Sequence, residues 1–222
     1  MKARKKINQF ISEILEILNV KVLKDLIYCN ICFGQSFVNF SDLTFFIFQP
    51  MLLFQYGFDK RDVATCISIG AGADVTGRFL LALISSLYPI NTRFLFYMAT
   101  FLTLIARIVL LQVTHFAWIA MVTGVLGLLR AFLHISSPLV ISNHVTSEEF
   151  PGAYALFMLA AGAINVLMSP FIGALKDHYN SYIPSFIALS VCCLPCLLFW
   201  PLEYVFYKNR IVIELNEIYK MA

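Results

Sequence analysis

The sequence predicts an all-α membrane protein of six transmembrane helices, and three observations carry that prediction. Of the 222 residues, 60% are hydrophobic and 13% charged, with a mean hydropathy of +0.80; soluble domains run near 45–50% apolar and about 25% charged. Six apolar runs follow one another, each long enough for the roughly 20 residues a helix needs to cross a bilayer. The links between the runs are too short to hold a second domain.

Residues 1–24 open with Lys2, Arg4, Lys5 and Lys6. Ile7, Phe10, Ile11, Ile14, Leu18 and Val22 then fall at helical spacing, opposite Asn8, Gln9, Ser12, Glu13, Glu16 and Asn19. This pattern predicts an amphipathic helix lying on the inner membrane surface. It is not a signal peptide, because two glutamates interrupt the apolar stretch and no small-residue cleavage site follows.

Apolar length and polar flanks place the spans at 26–54, 63–87, 94–114, 116–141, 152–175 and 182–205. The organisation is therefore a cytoplasmic amphipathic segment (1–24), a six-helix transmembrane domain (25–206) and a cytoplasmic tail (207–222). An even number of spans puts both termini on one side. With the N-terminus inside, the inner side holds Lys2, Arg4, Lys5, Lys6, Lys21, Lys24, Arg93, Lys208, Arg210 and Lys220, and the outer side only Lys60, Arg61 and Lys176. The excess of positive residues favours cytoplasmic termini.

Polar residues inside the spans point to function, because an ionised group near the bilayer centre costs at least about 2.5–3.5 kcal/mol. The first span carries Gln35, Asn39, Asp42 and Gln49 along one face, a stripe that either lines a cavity or bonds neighbouring helices. Asp42 is a candidate proton site, since a buried carboxylate is expensive to keep charged. The second span carries Asp74 and Arg78 one helical turn apart, with Gly70, Ala73 and Gly77 around them. Such a pair either marks a substrate or ion pathway or locks two helices. Arg107 stands alone in the third span and is expected to snorkel outward in a structural role. In the fourth span Thr123, Gly127, Arg130, His134 and Ser137 share a face. Arg130 and His134 suit an anionic or zwitterionic solute, or Arg130 pairs with Asp42 or Asp74 to hold the bundle.

The fifth span presents Ala155, Gly162, Ser169 and Gly173 as a small-residue seam for close helix contact. Pro138 and Pro170 mark expected kinks. The sixth span, with Cys192, Cys193, Pro195, Cys196, Trp200 and Tyr204, reads as a lipid-facing closing helix.

Several classes are excluded. A net charge of +3 is too small for nucleic-acid binding. The six cysteines lie in or beside apolar runs and form no secreted disulfide framework; Cys193 and Cys196 read as small apolar side chains rather than metal ligands. Phe37 follows Gly34, Gln35 and Ser36, so a membrane serine-protease motif is absent, and no aspartate follows Gly72 where an intramembrane aspartyl protease needs one. No zinc-protease motif, phosphate-binding loop or potassium filter occurs, so neither an enzyme nor a cofactor is expected.

Four stretches resemble the monocarboxylate transporter family, and within it the insect-type members. They are Leu23–Lys24–Asp25 entering the first span; Ala71 to Asp74 with Arg78 and Phe79; Phe150 and Pro151 with Ala153, Tyr154 and Leu156 to Met158; and Gly173 to Asp177 with Tyr179 and Tyr182. The resemblance runs from about Asn19 to Tyr204 and is to the C-terminal six-helix half of a twelve-helix major facilitator superfamily fold. It implies proton coupling at Asp74 and a substrate carboxylate held by Arg78, whose guanidinium offers a two-pronged donor. Asn39, Asp42, Arg130 and His134 would line the route. Asn180 stands where many members have glycine, and both tolerate positive φ. The partners implied are a small organic anion, a proton, the bilayer of the plasma membrane, and a missing N-terminal half or a second copy, since substrate sits between repeats in such folds. Two other functions fit the residues: a non-transporting membrane interaction protein or remnant, and a proton-independent carrier of an amino acid-like zwitterion.

Overall fold

A computed structural model describes residues 20–206. The expected amphipathic helix before Val20 and the tail after Phe206 lie outside the described residues. A short 3-10 turn, Val20–Lys24, leads into six helices among the described residues: α1 (Leu26–Gln55), α2 (Lys60–Leu87), α3 (Thr92–Gln112), α4 (Phe116–Ser142), α5 (Phe150–Tyr179) and α6 (Ile183–Phe206). All six are long and apolar enough to cross a membrane. The bundle wears apolar side chains outward, among them Phe79, Leu87, Val166, Leu167 and Leu198. Only a hydrocarbon solvent tolerates so continuous an apolar exterior.

Caps start the helices where the sequence changes character. Asp25 accepts from the Ile27 amide (2.8 Å) ahead of α1, and Asn91 accepts from the Phe94 amide (3.2 Å) ahead of α3. At the end of α5, Asn180 adopts the left-handed conformation at φ 48°, the role glycine would otherwise fill. Helices α4 and α5 run on as helix through Pro138 and Pro170, as α1 does through Pro50. The interruption falls in α6, at Cys192 and Cys193. Pro195 explains it: a proline cannot donate to the carbonyl four residues back, and its ring clashes there.

Helix α1 is the central post. Tyr28 Oη donates to the Ala153 carbonyl of α5 (2.6 Å), Gln35 Nε2 to the Ser137 carbonyl of α4 (3.2 Å), Ser41 Oγ to the Leu189 carbonyl of α6, and Gln49 Nε2 to Thr123 Oγ1 of α4 (2.9 Å). Its polar stripe thus serves mainly to bond neighbouring helices, a need imposed by the absence of water. The closest helix approach is between α2 and α4. A Cβ at Gly127 would lie 2.1 Å from the Gly70 carbonyl oxygen, and one at Gly77 2.8 Å from the Ala131 Cβ. The seam expected on α5 is not used in this way. Gly162 and Gly173 meet nothing within 4 Å, and α5 shares with α2 the least buried surface of the six. Helix α6, expected to face lipid, does so with Ile187, Leu198 and Leu202, while Cys193, Cys196 and Trp200 turn inward and are buried, with Trp200 against Phe96.

One end of the bundle is laced by ions. Arg93 pairs with Glu203 (2.8 Å), which also accepts from Asn30, and His144 meets Asp25 (2.6 Å). Burial disfavours the ionised Asp25. The His144 hydrogen bond, the Ile27 amide and the His144 charge outweigh it and hold the carboxyl below its ordinary range.

Three outcomes follow for stability, each read by thermal unfolding in detergent. Gly127→Ala is expected to destabilise by about 1–3 kcal/mol, because backbone stands where the methyl must go. Gly72→Ala, facing open space, is expected to be neutral or stabilising by up to about 1 kcal/mol. A lowered folded-state pKa contributes stability above the unfolded value and loses it on acidification. The Tm gap between wild type and Asp25→Asn should therefore be full at mildly acidic pH and close as pH falls through and below the ordinary carboxylate range.

Candidate functional site

Charged residues within the spans form two constellations, one on α2 and one joining α1, α3 and α4. In the first, on α2, Arg78 Nε donates to Asp74 Oδ1 (3.2 Å) and Arg78 Nη2 to Asp74 Oδ2 (3.0 Å). The helical spacing of four dictates this pairing locally. It is the more exposed of the two, with the Arg78 side chain 48% and the Asp74 side chain 20% accessible.

The second constellation is buried and joins three helices. Asp42 of α1 bonds Arg107 Nη2 of α3 through Oδ1 (3.1 Å). Its other oxygen, Oδ2, faces Arg130 Nε at 3.5 Å and His134 Nε2 at 3.2 Å, both on α4. Arg107 is 1% exposed, so it does not snorkel to the outer surface as expected. Its Nη1 donates to Ser41 and touches the Cys193 sulfur (3.7 Å) at the break in α6, and its Cζ lies 4.4 Å from the centre of the Phe45 ring. Phe46, the next residue, seats Arg130 in the same way, at 4.2 Å. Consecutive phenylalanines thus hold one arginine each by cation–π attraction.

Arg130 Nε donates to His134 Nε2 (3.3 Å), and Asp42 Oδ2, sealed from solvent, receives no hydrogen bond. Leaving such an acceptor without a donor costs about 1–3 kcal/mol. Two guanidinium charges therefore oppose one carboxylate, and the cluster carries a surplus positive charge. Of the two choices for Arg130, the pairing is with Asp42 and not with Asp74.

A cavity of about 230 Å³ opens between α1, α2 and α4. Asp74 lines it from α2, Arg130 and Thr123 from α4, and Phe46 and Gln49 from α1. A narrow cleft beside it is lined by Asn39, Asp42, His134 and Ser137. Among the predicted site residues, the fold brings Asp42, Arg130 and His134 into contact and places Asn39 beside them. Asp74 shares the neighbouring cavity with Arg130, whereas Arg78 lines neither space. Ser41, Phe45, Phe46 and Arg107 are neighbours of the cluster that spacing alone does not reveal. The one available signal is depth: Asp42 lies 16 residues past Leu26 and Arg107 15 past Thr92, on helices that run the same way. No group of three or more potential metal ligands occurs among the described residues.

Removing one member of a buried pair is expected to leave the other uncompensated. Arg107→Gln should lower stability by about 3–5 kcal/mol, while Arg78→Gln on the half-exposed pair should change it by less than about 1 kcal/mol. Unfolding midpoints in detergent measure both.

No protein-family model matches the chain. Over 156 residues it is 28% identical to monocarboxylate transporter 14 of Homo sapiens, covering 69% of this chain and 30% of that protein. Over 153 residues it is 26% identical to monocarboxylate transporter 9 of Rattus norvegicus, covering 66% of this chain and 30% of that one. The chain therefore spans about 30% of the length of the curated relatives it matches. With six helices able to cross a membrane and buried charges between them, it is similar in sequence to monocarboxylate transporters.

Proposed function

We propose that the chain, alone or as one half of a carrier, moves a small monocarboxylate or related organic anion across the plasma membrane by alternating access, together with a proton. The observation that carries this reading is the cavity between α1, α2 and α4, with Arg130 on one wall and Asp74 on another. Its volume is below the usual range for drug-sized ligands and suits a solute of a few heavy atoms. Arg130, backed by a cluster with surplus positive charge, attracts the carboxylate, and His134 and Asn39 line the approach. Protonating Asp74 releases Arg78, whose two-pronged guanidinium then holds a carboxylate at the mouth. Asp42 keeps the charge of the cluster in balance.

The uncovered faces of α2 and α5 support a second wall supplied by another six-helix half or a second copy. Segments 1–24 and 207–222 are read as cytoplasmic flanks, on the strength of their positive residues. Nothing in the assembled residues calls for bond-making chemistry, so the chain is read as a carrier rather than an enzyme.

A second reading rests on the same cavity. Facing carboxylate and guanidinium groups also complement an amino acid-like zwitterion, which would move without a proton. A third, a non-transporting bundle, draws on the mutual satisfaction of Asp74 and Arg78.

Proteoliposomes holding the full chain and challenged with labelled pyruvate separate these readings. An inward proton gradient is expected to drive uptake, and Arg78→Lys to reduce it at least about tenfold through loss of bidentate geometry. Undiminished uptake by Arg78→Lys would remove that residue from the carboxylate site. Alanine uptake indifferent to external pH favours the zwitterion, and no uptake of either solute rules out a carrier made of this chain alone.

A further inference from the structure

Within the carrier reading above, on which its anion arm rests, we propose that His134 is the proton-operated switch that sets how strongly Arg130 holds an anion. The geometry supplies a hydrogen-bond exchange at one atom. His134 Nε2 lies 3.3 Å from Arg130 Nε, which donates to it, and 3.2 Å from Asp42 Oδ2, which has no donor. An imidazole nitrogen that accepts cannot also donate. In the neutral ring the Nε2 lone pair takes the Arg130 hydrogen, and the proton of the ring sits on Nδ1.

When a proton adds to that lone pair, the Arg130 Nε–H···Nε2 bond breaks and an Nε2–H···Oδ2 bond to Asp42 forms. Nothing else need change, because both partners already stand within reach. The buried carboxylate oxygen gains the donor it lacks, and Arg130 loses a tether. The cluster passes from one surplus positive charge to two, beside a cavity that Arg130 lines. Proton uptake therefore favours anion binding, and by reciprocity anion binding favours proton uptake.

The groups facing His134 decide that this site, rather than another, responds. From α1 comes Asp42, and from α4 itself Arg130. From α3 comes Arg107, acting through Asp42, where it is held by Oδ1 and Ser41 and keeps that oxygen occupied in both states. From α2, Asp74 lies across the cavity but is already bound on both oxygens by Arg78. Oδ2 of Asp42 is thus the one open acceptor in the constellation.

The test uses the full chain in lipid nanodiscs, with histidine labelled by nitrogen-15 and the His134 signal identified by its loss in His134→Gln. Pyruvate, ionised throughout, is the probe, at about pH 8 and about pH 5.5, which bracket the ordinary imidazole range. Neutral His134 is expected to carry its proton on Nδ1, and pyruvate affinity to rise on the order of tenfold on acidification. That rise should fall severalfold in His134→Gln and persist in His144→Gln, a histidine paired with Asp25 outside the cavity. A neutral tautomer protonated at Nε2 overturns the exchange whether or not pyruvate binds. A pH response that survives His134→Gln undiminished overturns the choice of histidine. Pyruvate that binds at neither pH overturns the carboxylate reading and the anion arm built on it, and the tautomer then decides the proton arm alone.

Discussion

One carboxylate in a medium without water constrains the whole bundle. Asp42 is 3% exposed and sits among helices whose outer surfaces are hydrocarbon-like. An ion in such a place persists only if opposite charge reaches it and its lone pairs are met. Arg107 meets one oxygen from α3, and Arg130 and His134 crowd the other from α4. Three helices are thereby fixed in rotation about their own axes. Ser41 extends the network to the α6 carbonyl at Leu189, so the break near Pro195 has buried polar company rather than bare backbone.

The two arginines on this carboxylate differ in what they are free to do. Arg107 is enclosed by Phe45, Ser41 and Cys193, and its role is to hold the bundle. Arg130, with a side chain 27% exposed, rests on Phe46 and borders the cavity. A charge that is partly solvated and not fully matched is the one able to greet a solute. The same division separates the hydrogen bonds of α1: Gln35 and Gln49 are spent on α4, whereas Asn39 is left half-buried at the cleft.

Similarity to monocarboxylate transporters 14 and 9 covers about two-thirds of the chain and bears on its broad role. The physical picture adds a division of labour between the two constellations. Asp74 and Arg78 form a self-contained neutral pair on an uncovered helix face, and Asp42 with its two arginines and His134 forms a charged core behind it. In the proposed carrier, a solute entering from the uncovered face would meet the first pair before the second. The proposed exchange at His134 links that entry to a proton without moving any helix.

Much of this was legible before the fold. The six helices begin and end within a few residues of the apolar runs, because bilayer thickness and the need to satisfy every backbone amide act on each segment by itself. The Asp74–Arg78 pair follows from a spacing of four on one helix, and the turn at Asn180 from its tolerance of positive φ. Matching depth alone hints at the pairing of Asp42 with Arg107, 65 residues away, and nothing local hints at the inward face of α6 or the idle seam of α5. Those depend on how each helix is rotated and staggered against its neighbours. Side-chain interlocking sets that, as where Gly127 admits the Gly70 carbonyl, and no local period encodes it.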